Sequence, residues 1–312
     1  MRSSRSHIDL YDLHLHTYWS YDATAHPENY FNRAKQLGVR CLAIADHHVL
    51  DSLDEVMRIA GEYPEIRAIP SAELTVTTSI GSVDLLCYGL PRDFSEGLGK
   101  ILDEYHTWQQ ENGAAISKGL QALGYDFTDA HRLELLQSYR PSKAMEVQGN
   151  THVKNEVLRQ YFLERGFINQ KEDYSDLMSQ ARKAVPFLPY PNVDLVVPAV
   201  KGTGALVVIA HPYGYFKGYD VSRMDALCEE CCLDGIECVN KNNIPQEYTR
   251  LYREYCVQHG LLSTAGSDCH SDEDIQHTFA HHERFPGDEG SDEWLDEFLH
   301  RLGKNNVFDD SE

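Results

Sequence analysis

The sequence is poor in basic residues. Its 312 residues include 28 Lys and Arg against 49 Asp and Glu, which gives a formal net charge of −21. This balance argues against sequence-independent binding to duplex nucleic acid, because such binding needs many Lys and Arg side chains to displace phosphate counterions. It leaves room for an acidic pocket neutralised by bound metal ions. Hydrophobic residues make up 42% of the chain and charged residues 25%, values typical of a globular domain.

Long apolar runs are also missing. No stretch approaches the roughly 18 apolar residues of a membrane span, and the N-terminal segment lacks the apolar core of a secretory signal. Eight cysteines are too few for a disulfide scaffold in a chain of this length. Cys228 and Cys231 have the spacing of half a zinc site, but no second pair accompanies them at a matching spacing. We therefore expect a cytoplasmic protein with reduced thiols.

What the chain does contain is an alternation of short apolar runs and amphipathic helices, typical of βα units around a mostly parallel sheet. This pattern covers residues 8–97 and 186–287, with a hairpin expected within Thr75–Leu90. Residues 98–185 are polar and helix-dominated, so we interpret them as an inserted helical subdomain. The proline-rich stretch 186–198 is expected to be a linker. Residues 288–312 read as an acidic C-terminal tail with one short helix.

Histidine is abundant, with 16 residues, and polar side chains recur where predicted strands end. Such ends converge on one face of a parallel α/β barrel. Taken singly, each position has an ordinary structural explanation, such as a helix cap or a salt bridge at the rim. Together, buried imidazoles and carboxylates would be costly without a cation, and this mixture suits zinc, manganese or iron. The positions are His14, His16, Asp46, His47, Glu73, His211, Asp268 and His270.

Seven short segments carry a family resemblance. They are Asp12–Thr17, Ser20–Asp22, Ala43–His47, Ile69–Glu73, Ile209–Pro212, Asp234–Glu237 and Gly266–His270. In this order they resemble the motifs of the PHP (polymerase and histidinol phosphatase) family over about residues 9–270, with a divergent helical middle. The resemblance implies a distorted (β/α)7 TIM-like barrel, two or three divalent ions (Mn, Zn, Fe or Mg) and phosphoester hydrolysis by a metal-bridging hydroxide. It is nearest to stand-alone phosphoesterases that act on nucleoside monophosphates or short oligonucleotides and carry an inserted helical domain.

The resemblance also implies a ligand set, carried over motif by motif. One ion would be held by His14, His16, Glu73 and Asp268, a second by Asp22, His47 and His270, and a third by Glu73 with His211. The family usually reads Ser-Asp-Gly where this chain has an inserted Tyr21 and then Asp22-Ala23. Counting back from Pro27 keeps Asp22 in register with the ligand position.

Two further positions leave alternatives open. Asp84 stands where the family usually has His, so it either ligates a harder ion such as manganese or magnesium or is a solvated strand residue of a lost third site. His152 resembles a family position near the scissile phosphate, although the Arg of that motif is replaced by Asn155. It either donates to the phosphate, or protonates the leaving oxygen, or is a surface helix histidine. Arg140 and Lys241 are further possible phosphate contacts.

Function is therefore expected to be hydrolysis of a small phosphorylated substrate, with Asp268 and His152 in the reaction. One alternative is a non-catalytic or regulatory metal-binding module, which the nearly complete ligand set disfavours. Another is an amidohydrolase-type C–N or C–O hydrolase. Such enzymes usually carry a bridging carboxylated lysine, and no Lys stands at a predicted strand end, since Lys201 precedes a strand. Substrate specificity is expected to reside in the helical middle.

Overall fold

Seven strands form a single sheet in chain order. The computed structural model describes residues 10–93, 96–240, 246–280 and 291–305. The strands are β1 (Tyr11–Leu15), β2 (Cys41–Ile44), β3 (Arg67–Thr78), β4 (Gly81–Tyr88), β5 (Leu206–Ile209), β6 (Gly235–Asn240) and β7 (Leu262–Gly266). Leu15 bridges Cys269 just beyond β7, so the first and last strands meet. The sheet thus nearly closes, which confirms the expected TIM-like α/β barrel.

Helices surround this sheet. Those between barrel strands or after β7 are α1 (Pro27–Leu37), α2 (Leu53–Ala60), α8 (Val193–Lys201), α9 (Pro212–Phe216), α10 (Val221–Glu230), α11 (Gln246–His259), α12 (Asp272–His277) and α13 (Ser291–Asn305). Five others and a 3-10 turn (Lys171–Asp173) lie between β4 and α8: α3 (Glu96–Ala122), α4 (Asp129–Tyr139), α5 (Ser142–Gln148), α6 (Asn155–Glu164) and α7 (Tyr174–Ala184). No described helix is long and apolar enough to cross a membrane.

The hairpin of β3 and β4 interrupts the parallel order. β4 pairs antiparallel with both β3 and β5, whereas the other neighbours pair in parallel. β3 pairs with β2 only as far as Pro70 and then continues to Thr78 against β4. The expectation that Glu73 stands where a strand ends is therefore wrong, because the threonine- and valine-rich second half of β3 pairs with β4 in the hairpin. Glu73 consequently lies inside a strand, three residues beyond the parallel part.

Two hydrophobic cores meet along α3. Its first half, with Leu98 and Tyr105, belongs to the core of the barrel. Its second half, with Ile116 and Leu120, packs with Phe162 and other residues of α4, α6 and α7 in a separate cluster. The inserted helices therefore have apolar packing of their own, while the boundaries at residues 98 and 185 stay a prediction.

The proline-rich stretch is only partly a linker. From Val193 onwards it is the helix α8, because four valines recur at helical spacing and are buried: Val193, Val196, Val197 and Val200. The Asn192 side chain caps the helix by accepting a hydrogen bond from the Asp194 N–H at 2.8 Å. The proline count obscured this periodicity.

The described part of the C-terminal tail is also packed. Helix α13 buries Trp294, Leu295 and Phe298 in the barrel core. The ring of Phe298 meets that of Tyr88 edge-on, with centroids 5.0 Å apart. This end of the tail thus covers the barrel beside β7.

Gly266 offers a test of how tightly the barrel holds its polar strands. A Cβ at this position would lie 2.2 Å from the Cβ of His14 and 2.9 Å from Oε1 of Glu237. We expect Gly266→Ala to lower the free energy of unfolding by about 1–3 kcal/mol and to reduce bound metal, since His14 must move. The matched control is Gly303→Ala in α13, where an added Cβ meets nothing within 4 Å. Chemical unfolding and metal analysis measure both effects, and equal stability of the two variants would contradict this close packing.

Candidate metal centre

The predicted side chains converge at one rim of the barrel. Nε2 of His14 lies 3.0 Å from Oε2 of Glu73, and Nε2 of His16 lies 3.2 Å from the same oxygen. Oδ1 of Asp268 is 3.6 and 3.2 Å from these two nitrogens. Ligand atoms about 2.0–2.2 Å from a tetrahedral ion are themselves separated by about 3.3–3.6 Å. The first group therefore has the spacing of a ligand set.

The second and third groups adjoin the first. Oδ2 of Asp22 lies 3.6 Å from Nε2 of His47 and 3.5 Å from Nε2 of His270. On the other side of Glu73, Nε2 of His211 is 3.3 Å from Oε1 of that carboxylate. The structure thus brings together these predicted ligands, and Glu73 occupies the centre.

The hydrogen bonds behind the cluster fix how the histidines face it. Nδ1 of His14 lies 2.9 Å from Oε1 of Glu237 and therefore donates to that carboxylate. Nδ1 of His270 donates to the carbonyl of Asp268 at 2.9 Å, and Nδ1 of His16 approaches the hydroxyl of Ser20 at 3.3 Å. With a proton on Nδ1, each ring presents the lone pair of Nε2 to the centre. Outer hydrogen bonds of this kind orient histidine ligands in metal sites.

Several buried polar atoms in the cluster have no hydrogen-bond partner. They are Nε2 of His16, Oδ1 of Asp22, Nδ1 of His47 and Oε1 of Glu73. Three of these four atoms have only an ion-pair contact of 3.2–3.3 Å within the cluster, and a buried polar atom that lacks a well-aligned hydrogen bond is destabilising. Oxygen and imidazole donors suit divalent ions, and three groups could each hold one: His14, His16 and Glu73; His16, His47 and His270; and Glu73, Asp84 and His211. The residues present therefore fit a cluster of divalent cations.

The close contacts between imidazoles and carboxylates shift the pKa values of both. Burial opposes protonation of His14, but neighbouring carboxylates led by Glu73 outweigh it and hold its pKa well above the ordinary value. The pKa values of His211 and His270 rise to about 9 because Glu73 and Asp22, respectively, outweigh desolvation. Burial would raise the pKa of Glu73, yet the imidazoles led by His14 hold it well below its usual range. In the protein alone, protons on imidazoles balance the buried negative charge.

The backbone is distorted where it delivers these side chains. Asp268 has φ of 53° and His211 has φ of 29°, both in the left-handed region that side chains seldom adopt. Such residues cost about 1–3 kcal/mol each and are concentrated at functional sites. The amide of Asp268 donates to the carbonyl of His14 at 2.7 Å, which holds the turn after β7 against β1.

Asp84 faces the third group but is held by neutral donors. Its Oδ1 accepts a hydrogen bond from the hydroxyl of Thr75 at 2.5 Å, and its Oδ2 accepts one from Tyr215 at 2.6 Å. Nε2 of His211 lies 3.9 Å from the same Oδ2. The carboxylate is thus positioned beside His211 and is neither turned away nor freely solvated.

His152 lies in the segment before α6 and not on a surface helix. Its ring is partly buried, with the centroid 3.8 Å from that of Tyr21 and 5.3 Å from that of Trp108. Burial lowers the pKa of His152 to about 4. Tyr21, the residue inserted before Asp22, also lies 5.7 Å from the ring of His47. The two rings therefore flank the cluster on the side of the inserted helices.

Two other sequence expectations, for Asp46 and Arg140, can be compared with the structure. Asp46 is buried and accepts hydrogen bonds from the amide and hydroxyl of Thr17 at 2.6 and 2.8 Å, so it fixes the loop after β1. The Arg140 guanidinium is buried and donates to the carbonyl of Trp19 at 3.2 Å and to the hydroxyl of Thr151 at 3.2 Å, which leaves it a structural role. Lys241 lies outside the described residues.

Glu237 is a buried residue beside the cluster that the ligand set implied by the motifs does not include. Besides orienting His14, it accepts hydrogen bonds from the amide of His211 at 2.8 Å and from the side chain of Asn240 at 3.0 Å. In the sequence, a glutamate within an otherwise apolar strand indicates a buried polar partner, because an unpaired buried carboxylate is costly.

Comparison with known proteins places this site in a family context. A family model described as the PHP domain matches residues 12–185, more than half of the chain. A protein of Haemophilus influenzae named 5′-3′ exoribonuclease is 21% identical over 262 residues, which cover 83% of this chain and 89% of that protein.

Two solved structures share the architecture. A protein from Bifidobacterium adolescentis assigned as a metal-dependent phosphoesterase aligns with a TM-score of 0.70 and 23% identity, over 93% of this chain and 96% of that chain. An amidohydrolase from Chromobacterium violaceum, with bound sulfate and no metal, aligns with a TM-score of 0.69 and 18% identity, over 89% and 92% of the two chains. At these identities the likeness establishes the shared fold.

Metal loading is expected to release protons. With pKa values of about 9, His211 and His270 are protonated at pH 7.5, and each must become neutral to ligate a metal. Titration with Mn²⁺ in buffers of different ionisation enthalpy should show release of about one to three protons per chain. The release should fall toward zero above about pH 9, and the apparent affinity should rise with pH up to that point. Heats that do not depend on the buffer would contradict this assignment.

Substitution of Asp84 tests the third group by metal content. If its carboxylate ligates, Asp84→Ala should lower the bound metal by about one ion per chain. Asp84→His should shift the preferred metal from manganese or magnesium toward zinc or iron, because imidazole is the softer ligand. Asp126→His, at an exposed position, is the control. Unchanged stoichiometry and preference in both Asp84 variants would mean that only two ions bind.

Proposed function

This chain belongs to the PHP domain family, and on that premise we propose that it is a metal-dependent phosphoesterase. We infer a small phosphomonoester, such as a nucleoside monophosphate, or a short oligonucleotide as its substrate. The observation that carries the proposal is the convergence of imidazoles and carboxylates around the buried Glu73. Such a cluster has no structural use that an apolar core would not serve at lower cost.

The proposed ligands divide among three positions as the motifs imply. The full set is His14, His16, Asp22, His47, Glu73, Asp84, His211, Asp268 and His270. Divalent ions held there would lower the pKa of a coordinated water and would offset negative charge on phosphoryl oxygens. The protein's own contribution is to aim the Nε2 lone pairs of His14, His16 and His270 inward and to keep Glu73 between the groups.

His152 is proposed to contact the substrate phosphate. Its ring lies against Tyr21 at the edge of the cluster. Because its pKa is lowered to about 4, the imidazole is neutral near pH 7. A neutral ring still carries one N–H, so we assign His152 to hydrogen-bond a phosphate or leaving oxygen and not to supply a proton from an imidazolium.

Charge and similarity both favour a short substrate. The net charge of −21 opposes binding along an extended duplex, whereas the site itself concentrates its ligands at one point. The Haemophilus influenzae relative, named an exoribonuclease, supports RNA ends or nucleotides as the chemical class. Against C–N hydrolysis through a carboxylated lysine, none of the seven strands contains a lysine.

The test is a substrate panel with an inactivated control. We expect metal-loaded protein to release phosphate or mononucleotides from nucleoside monophosphates or short RNA oligonucleotides, and to leave carboxylic esters and amides intact. Asp268→Ala should reduce turnover by several orders of magnitude, because a ligand shared with His14 and His16 is lost. Asp126→Ala, on the exposed surface, should match the wild type. Hydrolysis confined to esters or amides, or full activity of Asp268→Ala, would refute the proposal.

A further inference from the structure

Two hydroxyl side chains that are not ligands accompany the third ligand group, which consists of Glu73, Asp84 and His211. Thr75 lies directly opposite Asp84 in the hairpin of β3 and β4, and it follows Glu73 by two residues, so these side chains share one face of the sheet. His211 directly precedes α9, and its ring lies 5.6 Å from that of Tyr215 in this helix. The same elements therefore deliver both the ligands and the two hydroxyl groups.

The phenol of Tyr215 contacts Asp84 at its backbone and at its carboxylate. Its oxygen accepts a hydrogen bond from the Asp84 N–H at 2.9 Å and donates one to Oδ2 at 2.6 Å. Both bonds meet at one phenol oxygen, which acts as donor and acceptor at once. The side chain of Asp84 is thereby fixed relative to its own strand.

Thr75 holds the other carboxylate oxygen and is itself held by His48. Its hydroxyl donates to Oδ1 of Asp84 at 2.5 Å. Because a hydroxyl has only one proton, Nε2 of His48, 2.8 Å from the same Oγ1, is the donor in that second contact. A chain of hydrogen bonds therefore runs from His48 through Thr75 to Asp84.

The imidazole of His48 is fixed by a strained backbone and by stacking. His48 has φ of 64°, in the left-handed region, and its amide donates to the carbonyl of Glu73 at 2.8 Å. Its ring stacks on that of Tyr105, with centroids 4.8 Å apart and an interplanar angle of 6°. The Tyr105 hydroxyl in turn donates to the carbonyl of Thr75 at 2.7 Å. Backbone strain that is maintained in this way is typical of functional sites.

These contacts prepare the carboxylate of Asp84 for an ion. An ionised carboxylate has two oxygens with about four lone-pair sites, and an ion occupies only some of them. At Asp84 each oxygen already accepts a hydrogen bond from a neutral hydroxyl. The plane of the carboxylate is therefore set before any ion binds, which reduces the entropy lost on binding.

We propose that Tyr215, Thr75 and His48 are positioning residues for the third ion, which act through Asp84 and determine how tightly that ion is held. The inference rests on the metal positions of the proposed function and deepens it, because it assigns the affinity of one position to residues outside the ligand set. Removal of such outer partners typically lowers metal affinity about 10–100-fold.

The first test measures metal binding without turnover. Mn²⁺ stoichiometry and affinities are determined by titration calorimetry for wild type, Tyr215→Phe and the control Tyr213→Phe, which lies in the same helix with its ring against Tyr248. We expect Tyr215→Phe to weaken one ion about 10–100-fold and to leave the other ions unchanged, while Tyr213→Phe matches wild type. Equal affinities in the two variants would overturn the proposal.

Thr75 offers a matched pair of variants that does not depend on how Tyr215→Phe folds. Thr75→Val removes the hydroxyl at nearly constant volume, and Thr75→Ser keeps it. We expect Thr75→Val to weaken the same ion about tenfold or more and Thr75→Ser to bind it as wild type does. An equal loss in both variants, or a loss in neither, contradicts a role for the hydroxyl.

A double variant separates positioning through Asp84 from a general structural role. In Asp84→His no carboxylate remains for the phenol to position, so adding Tyr215→Phe should change the affinity of the third ion by less than about twofold. The same loss in both backgrounds would show that Tyr215 acts on the fold and would refute the inference. All of these measurements use the metal alone. A lack of phosphoesterase activity would therefore refute only the proposed function, and unchanged affinities would refute only this inference.

Discussion

The buried carboxylate of Glu73 is the group on which the rest of the site depends. It is fully excluded from solvent, and its two oxygens lie between 3.0 and 3.3 Å from nitrogens of His14, His16, His47 and His211. A carboxylate without partners at this depth would be very costly to desolvate. The imidazoles that balance its charge come from β1 and from the turns after β2 and β5. These three segments must therefore keep their positions relative to β3. The ligand geometry and the closure of the barrel are therefore one constraint.

The departures of the barrel from parallel regularity all meet at that carboxylate. β3 continues beyond Pro70, so Glu73 lies past the last residue pair that β3 shares with β2. The absence of a Cβ at Gly266 lets β7 approach His14 and Glu237. The left-handed backbone at Asp268 turns its side chain back toward β1. Each feature is unfavourable or restrictive by itself, and together they place hard and soft donors around one point.

Much of this could be predicted from the sequence, because the ligands sit in short motifs whose local geometry is simple. His14 lies in β1 and His16 directly after it, so the period of two places both side chains on the same side, and Asp268 and His270 follow the last strand of the barrel. The features that could not be predicted from the sequence depend on contacts between segments distant in the chain. Glu237 reaches His14 only because β7 pairs with β6 and meets β1 where the barrel closes. The extension of β3 needed its hairpin partner, and the valines of α8 were masked by prolines in the same stretch.

The inserted helices and the barrel differ in charge. Residues 98–185 hold eleven basic and twelve acidic side chains, against 28 and 49 in the whole chain, so nearly all of the net charge lies outside them. An anionic substrate is therefore repelled less along the helical side than along the barrel. Helix α3 belongs to both hydrophobic cores, and Trp108 lies at its middle. The element that joins the two parts thus also places the ring of Trp108 beside that of His152, with centroids 5.3 Å apart.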